Sequence, residues 1–249
     1  MTQQGKITLK IRNGVAYLTF FHPASNSFTG VMLAELTDKI YELNANSQVK
    51  IIVLQSEGRT FCAGASFDEL IALKDMLSAQ EFFMGFARVI NAMRKINKLI
   101  IAKVQGKAVG GGVGLIAAAD YVFATDLAAV KLSELSIGIG PYVIAPAVKR
   151  KIGMAAFSEL SVNTTKWHNA YWAREKGLFA QVFERIEKLN EETEILAEKL
   201  ASFDAQAMKL LKREIWKNTD NWDELLEKQA EISAHLVLQD FAKEKLNKK

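Results

Sequence analysis

The spacing of apolar residues along this chain changes several times, and each change marks an element. From Lys6 to Arg12 polar and apolar positions alternate, Asn13-Gly14 interrupts, and the run from Val15 to Phe21 is strand-like again. An Asn-Gly between two such runs predicts a hairpin. After the loop His22-Pro23-Ala24-Ser25-Asn26-Ser27, Leu33, Leu36, Ile40 and Leu43 recur at helical spacing. Residues 49–54 and 99–104 are short continuous apolar runs and read as buried strands. Between them come a loop over 56–66, a short helix near 68–76, and a longer helix with Phe82, Phe86, Val89, Met93 and Ile96 on one side. Ser78 with Glu81 three residues on reads as the capping box that opens the longer helix.

The triplet Gly110-Gly111-Gly112 leads into a short helix ending near Ala119, followed by strand-like runs at 120–125 and 129–132. Gly138, Gly140 and Pro141 make the next loop. Helices are predicted over 143–152, 155–161 and 169–176, with Gly177 as a C-terminal stop, then over 190–202, 203–217 and 222–245. Strand and helix therefore alternate over residues 1–190, and residues 191–249 are helical. This is the pattern of an α/β core followed by a helical C-terminal region. Trp216, Trp222, Leu225, Leu226, Ile232 and Leu236 make that region too apolar for a free appendage, so it should pack on the core or on a neighbouring subunit.

Composition narrows the class. The chain has 249 residues, 49% of them apolar and 24% charged, as in ordinary soluble globular proteins. No apolar run reaches the ~20 residues that a membrane-spanning helix needs. The start, Met1-Thr2-Gln3-Gln4-Gly5-Lys6, lacks the apolar stretch of a signal peptide, so a cytoplasmic protein is expected. The single cysteine, Cys62, excludes an internal disulfide and fits a reducing compartment. The net charge of +4 is spread thinly, with one dense cluster at the tail, Lys243-Glu244-Lys245-Leu246-Asn247-Lys248-Lys249. Such a tail reads as a solvated, frayed end or as help in holding an anionic, phosphate-bearing ligand.

Candidate chemistry lies where two strands end. Each feeds a small-residue loop that opens a helix: Phe61-Cys62-Ala63-Gly64-Ala65 after the first, and the glycine triplet after the second. Close packing of strand on helix is one reading of the triplet. A phosphate loop is disfavoured, because Gly106-Lys107 is followed by Ala108 rather than Ser or Thr; a dinucleotide fingerprint is disfavoured by Leu115. There remains an anion site built from one backbone N–H of each loop, able to hold a developing oxyanion. Glu134, between Leu132, Leu135 and Ile137, should be desolvated, with its pKa raised toward the range of a general acid–base. A salt bridge with Lys131 is the competing reading. His22, His168 and His235 have no metal-like spacing and no cysteine pair exists, so no metal site is expected. Cys62 has no histidine beside it and reads as a small packed residue, and Ser133 and Ser136 lack a His–Asp partnership. Aromatic and basic residues do not interleave as nucleic-acid binding requires.

These residues together resemble the crotonase superfamily, the enoyl-CoA hydratase/isomerase family. The resemblance rests on His22-Pro23 with Asn26, the loop 61–65, the segment 104–112, Ala118-Ala119-Asp120, Glu134 with Ile137-Gly138, and Ala173 with Gly177-Leu178. It implies a spiral of ββα units with a helical C-terminal trimerisation region, a homotrimer or homohexamer, and an acyl-CoA thioester as ligand. Coenzyme A would enter as part of the substrate, with no prosthetic group. The resemblance implies that the Ala65 and Gly111 N–H groups are the oxyanion donors. It places Ala63, Ser66 and Phe67 along the CoA path with Ala24 nearby, and Lys243 or Lys245 within reach of the nucleotide phosphates. Family hydratases carry two glutamates; one matches Glu134, and the place of the other is Gly114. A lone glutamate can still move a proton between two carbons, which makes a Δ3,Δ2-enoyl-CoA isomerase the leading expectation. Hydration, or another lyase reaction on a branched or carboxylated acyl-CoA, is the alternative. A non-catalytic member that binds CoA esters or RNA is the third.

Overall fold

A computed structural model describes residues 5–248; the first four residues and Lys249, on which the leader and tail expectations partly rest, lie outside the described residues. The chain runs β1 (Lys6–Arg12), β2 (Val15–Phe21), α1 (Gly30–Ala45), β3 (Ile51–Ser56), α2 (Phe67–Ala72), α3 (Met76–Lys95), β4 (Leu99–Val104), β5 (Ala108–Val109), α4 (Gly111–Ala118), β6 (Tyr121–Thr125) and β7 (Ala129–Lys131). A 3₁₀ turn, Glu134–Ile137, then precedes α5 (Ala145–Val162), β8 (His168–Asn169), α6 (Ala170–Glu175), β9 (Gln181–Phe183), α7 (Ile186–Ala201), α8 (Ala205–Ile215), α9 (Trp222–Val237) and α10 (Asp240–Asn247).

The larger sheet has strand order β1-β2-β3-β4-β6-β9. Its β1–β2 hairpin is antiparallel and turns on Asn13 and Gly14, both at positive φ, as a two-residue hairpin turn requires. From β2 onward the pairing is parallel. Successive residues of these strands serve two cores. Leu18, Ile52, Leu54, Ile100 and Val122 face the larger one, with α1, α3 and α4, while Val15, Ile51, Val53, Leu99 and Ile101 meet Leu189, Ala197, Ala201 and Met208 of α7 and α8. Coverage on both faces is why these strands read as unbroken apolar runs instead of alternating ones.

A smaller sheet, β5-β7-β8, stands beyond the end of the larger one. Its β7 matches the run expected at 129–132, whereas β5 and β8, and β9 of the larger sheet, pieces of two or three residues, carry no period and were not expected.

Two expectations are revised. Asp75, not Ser78, caps α3: its carboxylate accepts the Ser78 N–H at 2.8 Å, and Glu81 turns outward to Arg88 at 2.7 Å. Aspartate is as good a cap as serine, so the earlier acceptor starts the helix. The single helix expected over 222–245 is two, broken at Leu238 and Gln239. The break lets α9 run along α3 while α10 turns back to pack on α2 and the 3₁₀ turn. The two helices expected over 143–152 and 155–161 both form, meeting at the non-helical Gly153 (φ +78°) within α5.

The C-terminal helices are clipped to the sheet by a buried polar cluster. Asp120 accepts from Lys212 Nζ at 2.6 Å, from Trp216 Nε1 at 2.8 Å and from the Ile100 N–H at 2.7 Å. No helix among the described residues is long and apolar enough to cross a membrane.

Candidate active site

The two small-residue loops are laced together at the carboxyl ends of β3 and β4. The Phe61 and Cys62 N–H groups both donate to Lys107 O, at 3.0 and 3.2 Å, and Val109 N–H donates back to Cys62 O at 2.9 Å. The turn after β2 braces the first loop from its other side. Ala63 N–H donates to Ser25 O, Phe28 N–H to Gly64 O and Ser66 N–H to Phe28 O, at 2.7 to 3.0 Å. Asn26 holds that turn: its amide donates to Glu57 O and Thr60 O at 2.7 Å, and its Oδ1 accepts the His22 N–H at 2.8 Å. The His22–Asn26 segment thus works on the site through backbone architecture.

These loops open onto a cavity enclosing about 590 Å³ including its mouth. Ala63, Gly64, Ala65 and Phe67 line it from the first loop and α2, and Val109, Gly110 and Gly111 from the second. The loops approach closely, since a β-carbon on Gly64 would lie 3.6 Å from the Gly111 nitrogen. Among the described residues, neither the Ala65 nor the Gly111 N–H donates to a protein acceptor. Gly111 is the first residue of α4, where backbone N–H groups have no partner within the helix and the dipole favours negative charge.

Glu134 opens the 3₁₀ turn, and its side chain lies against Gly110. A β-carbon at position 110 would stand 2.8 Å from Glu134 Oε1, and Gly110 sits at φ +53°, ψ −118°, a region that L side chains avoid. Glu134 Oε2 is buried and has no hydrogen-bond partner among the described residues. Burial pushes the carboxyl from 4.5 up to about 7, against the opposing pull of the Glu134 and Ser133 backbone N–H groups. Lys131 does not pair with it: its Nζ stands 4.8 Å from the Trp167 ring centroid, as does Lys107 Nζ. Among the described residues Glu134 has no ion-pair partner, so the salt-bridge reading gives way to the desolvated carboxyl.

The structure thus gathers Ala65, Gly111, Glu134, Ala63 and Phe67 around one cavity. The other residues singled out in the sequence lie elsewhere. Ser66 is buried and caps α2, accepting the Glu69 N–H. Ala24 is exposed on the turn that braces the loop. Lys243 Nζ donates to Leu73 O at the end of α2, and Lys245 Nζ stands 5.3 Å from the Phe241 ring centroid. Cys62 is fully buried, its thiol pushed up to about 12, which is the state of a packing residue. Phe83, Phe86 and Tyr142 also line the cavity. Ile139, Val143 and Ile144, from the loop that follows the Glu134 turn, and Ser233 of α9 complete the wall; no residue pattern in the sequence marks them.

A family model described as enoyl-CoA hydratase/isomerase matches residues 10–249. The chain is 30% identical over 155 residues to a probable enoyl-CoA hydratase of Bacillus subtilis, covering 62% of this chain and 60% of that protein. It is 29% identical over 134 residues to ethylmalonyl-CoA decarboxylase of Mus musculus, covering 53% of this chain and 42% of that protein. The chain spans about half the length of these curated relatives. The crystal structure of an enoyl-CoA hydratase from Bacillus halodurans shares the fold, with a TM-score of 0.90 at 21% identity over 98% of this chain and 99% of that one.

Proposed function

Since the chain belongs to the enoyl-CoA hydratase/isomerase family, we propose that it is a Δ3,Δ2-enoyl-CoA isomerase in which Glu134 carries the proton alone. The observation that supports this reading most is the Glu134 carboxyl itself. It is the one carboxylate among the cavity-lining residues, it has an unpartnered oxygen, and it titrates near 7. A group with that pKa both takes and returns a proton at neutral pH.

The thioester oxygen of a 3-enoyl-CoA rests on the Ala65 and Gly111 N–H groups. Glu134 removes a proton from C2, breaking that C–H bond, and the electron pair moves into the thioester as an enolate held by the two N–H groups. The protonated Glu134 then gives the proton to C4 as the double bond settles between C2 and C3. Substrate and product are isomers, and the carboxylate ends as it began. Coenzyme A belongs to the substrate, its path running past Ala63 and Phe67. Assembly as a homotrimer or homohexamer is part of the same proposal.

The test is incubation of the purified protein with a 3-enoyl-CoA, following formation of the conjugated 2-enoyl product. Glu134→Gln should lower kcat/KM by roughly 10²- to 10⁴-fold, the usual worth of a positioned general base. Absence of product from the wild type, or full activity in the variant, overturns the proposal. Conversion of a 2-enoyl-CoA to a 3-hydroxyacyl-CoA by the wild type would point instead to a hydratase.

A further inference from the structure

Two contacts on successive turns of α4 place a second residue beside Glu134. Gly110 touches the Glu134 carboxyl, and Gly114, four residues on, touches Ile144. The two positions are joined by the Gly114 N–H to Gly110 O hydrogen bond at 3.2 Å. Gly110 is the N-cap of α4 and Gly114 lies one turn further on, so the two contacts are about one helical turn apart. Ile144 lines the same cavity as Glu134, while Gly114 does not line it.

The fit is tight. A β-carbon on Gly114 would come within 2.3 Å of Ile144 Cγ2 and 2.7 Å of its Cβ. Ile144 is 3% exposed and branched at Cβ, so it has little room to turn aside. Ile137, Ile139 and Val143 join it among the cavity-lining residues, giving a largely apolar stretch of wall. A water against these four side chains would gain no hydrogen bond from them.

We propose that Ile144 is a specificity-determining residue: packed on Gly114, it fills the place beside Glu134 where a water or a second carboxylate would stand, and so keeps bound enoyl thioesters from being hydrated. This rests on the isomerase reading above, to which it adds why the site stops at proton transfer. Hydration adds water across C2=C3, the hydroxyl going to C3 and the proton to C2. That needs an oriented water on the substrate, and Ile144 denies it a site.

The test offers a 2-enoyl-CoA to wild type, Gly114→Glu, Ile144→Ser and the double variant Ile144→Ala with Gly114→Glu, reading 3-hydroxyacyl-CoA by mass spectrometry. Circular dichroism establishes that each variant is folded. Wild type and Gly114→Glu should give no hydroxyacyl product above background, because the new side chain meets Ile144. The double variant should exceed wild type by at least roughly tenfold, a small part of what a positioned acid–base supplies. Ile144→Ser, which opens the wall and sets a hydroxyl in it, should also gain hydration and decides the matter if the double variant does not fold. Folded variants that gain no hydration, or a wild type that already hydrates as fast as they do, overturn the role of Ile144. Isomerisation of a 3-enoyl-CoA by the wild type is measured alongside. Its absence with hydration gained in the variants sinks the isomerase reading and leaves Ile144 standing; its presence with no gain does the reverse.

Discussion

Replacing Glu134 by Gln should stabilise the protein, by an amount that grows with pH. The Glu134 carboxyl titrates at about 7 in the folded chain against 4.5 for an ordinary glutamate, and its Oε2 is buried without a partner. A carboxyl displaced that far costs about 3 kcal/mol in its charged form, at 1.36 kcal/mol per pH unit. The sign follows from proton linkage. Below about pH 4.5 the group is neutral in both folded and unfolded chains and adds no penalty. Between 4.5 and about 7 the unfolded chain loses the proton while the folded chain keeps it, so stability falls as pH rises; above about 7 the loss is complete. Glutamine keeps the shape, remains neutral and removes this dependence. Urea denaturation of wild type and Glu134→Gln at pH 4 and pH 8 measures it: near-equal stability at pH 4, and the variant ahead by about 3 kcal/mol at pH 8. A constant difference across that range would refute the claim that Glu134 is held charged in a desolvated site. It would also remove the physical basis for its acid–base role, since the cost to stability and the usefulness of the pKa have one cause.

The remaining predictions follow from the same geometry. For isomerisation, kcat/KM should rise with pH and level off above an inflection near 7, because the reaction begins with the charged form of Glu134; a flat profile between pH 5 and 9 contradicts this. Gly110→Ala should destabilise by about 1–3 kcal/mol in denaturant and impair turnover, since it forces a side chain into positive φ and against Glu134 Oε1. Asp120→Ala should cost about 3–5 kcal/mol by stranding the buried Lys212 ammonium, and should shift Trp216 fluorescence as the indole loses its acceptor. Cys62 should stay unreactive toward a thiol reagent at pH 8 until the protein is unfolded, given full burial and a thiol pushed up to about 12.

Much of the architecture could be read because its signals are local. The Asn13-Gly14 hairpin, the buried parallel strands and the helical C-terminal region each announce themselves within a dozen residues, through turn chemistry or apolar period. What escaped was either too short to have a period, such as β8 and β9, or depended on competition between neighbours, as when Asp75 took the cap from Ser78.

At the site, residue type and order alone supply the pieces: two small-residue loops, a carboxylate among apolar neighbours, and a glycine at 114. These are matters of residue type and order, and chain connectivity fixes them. Which pieces meet is a matter of the folded packing. It sent Lys131 to Trp167, left Glu134 without an ion-pair partner among the described residues, and set Ile144 on Gly114. Such outcomes follow from packing between residues ten to a hundred positions apart, where steric fit and desolvation, not local propensity, select the neighbour.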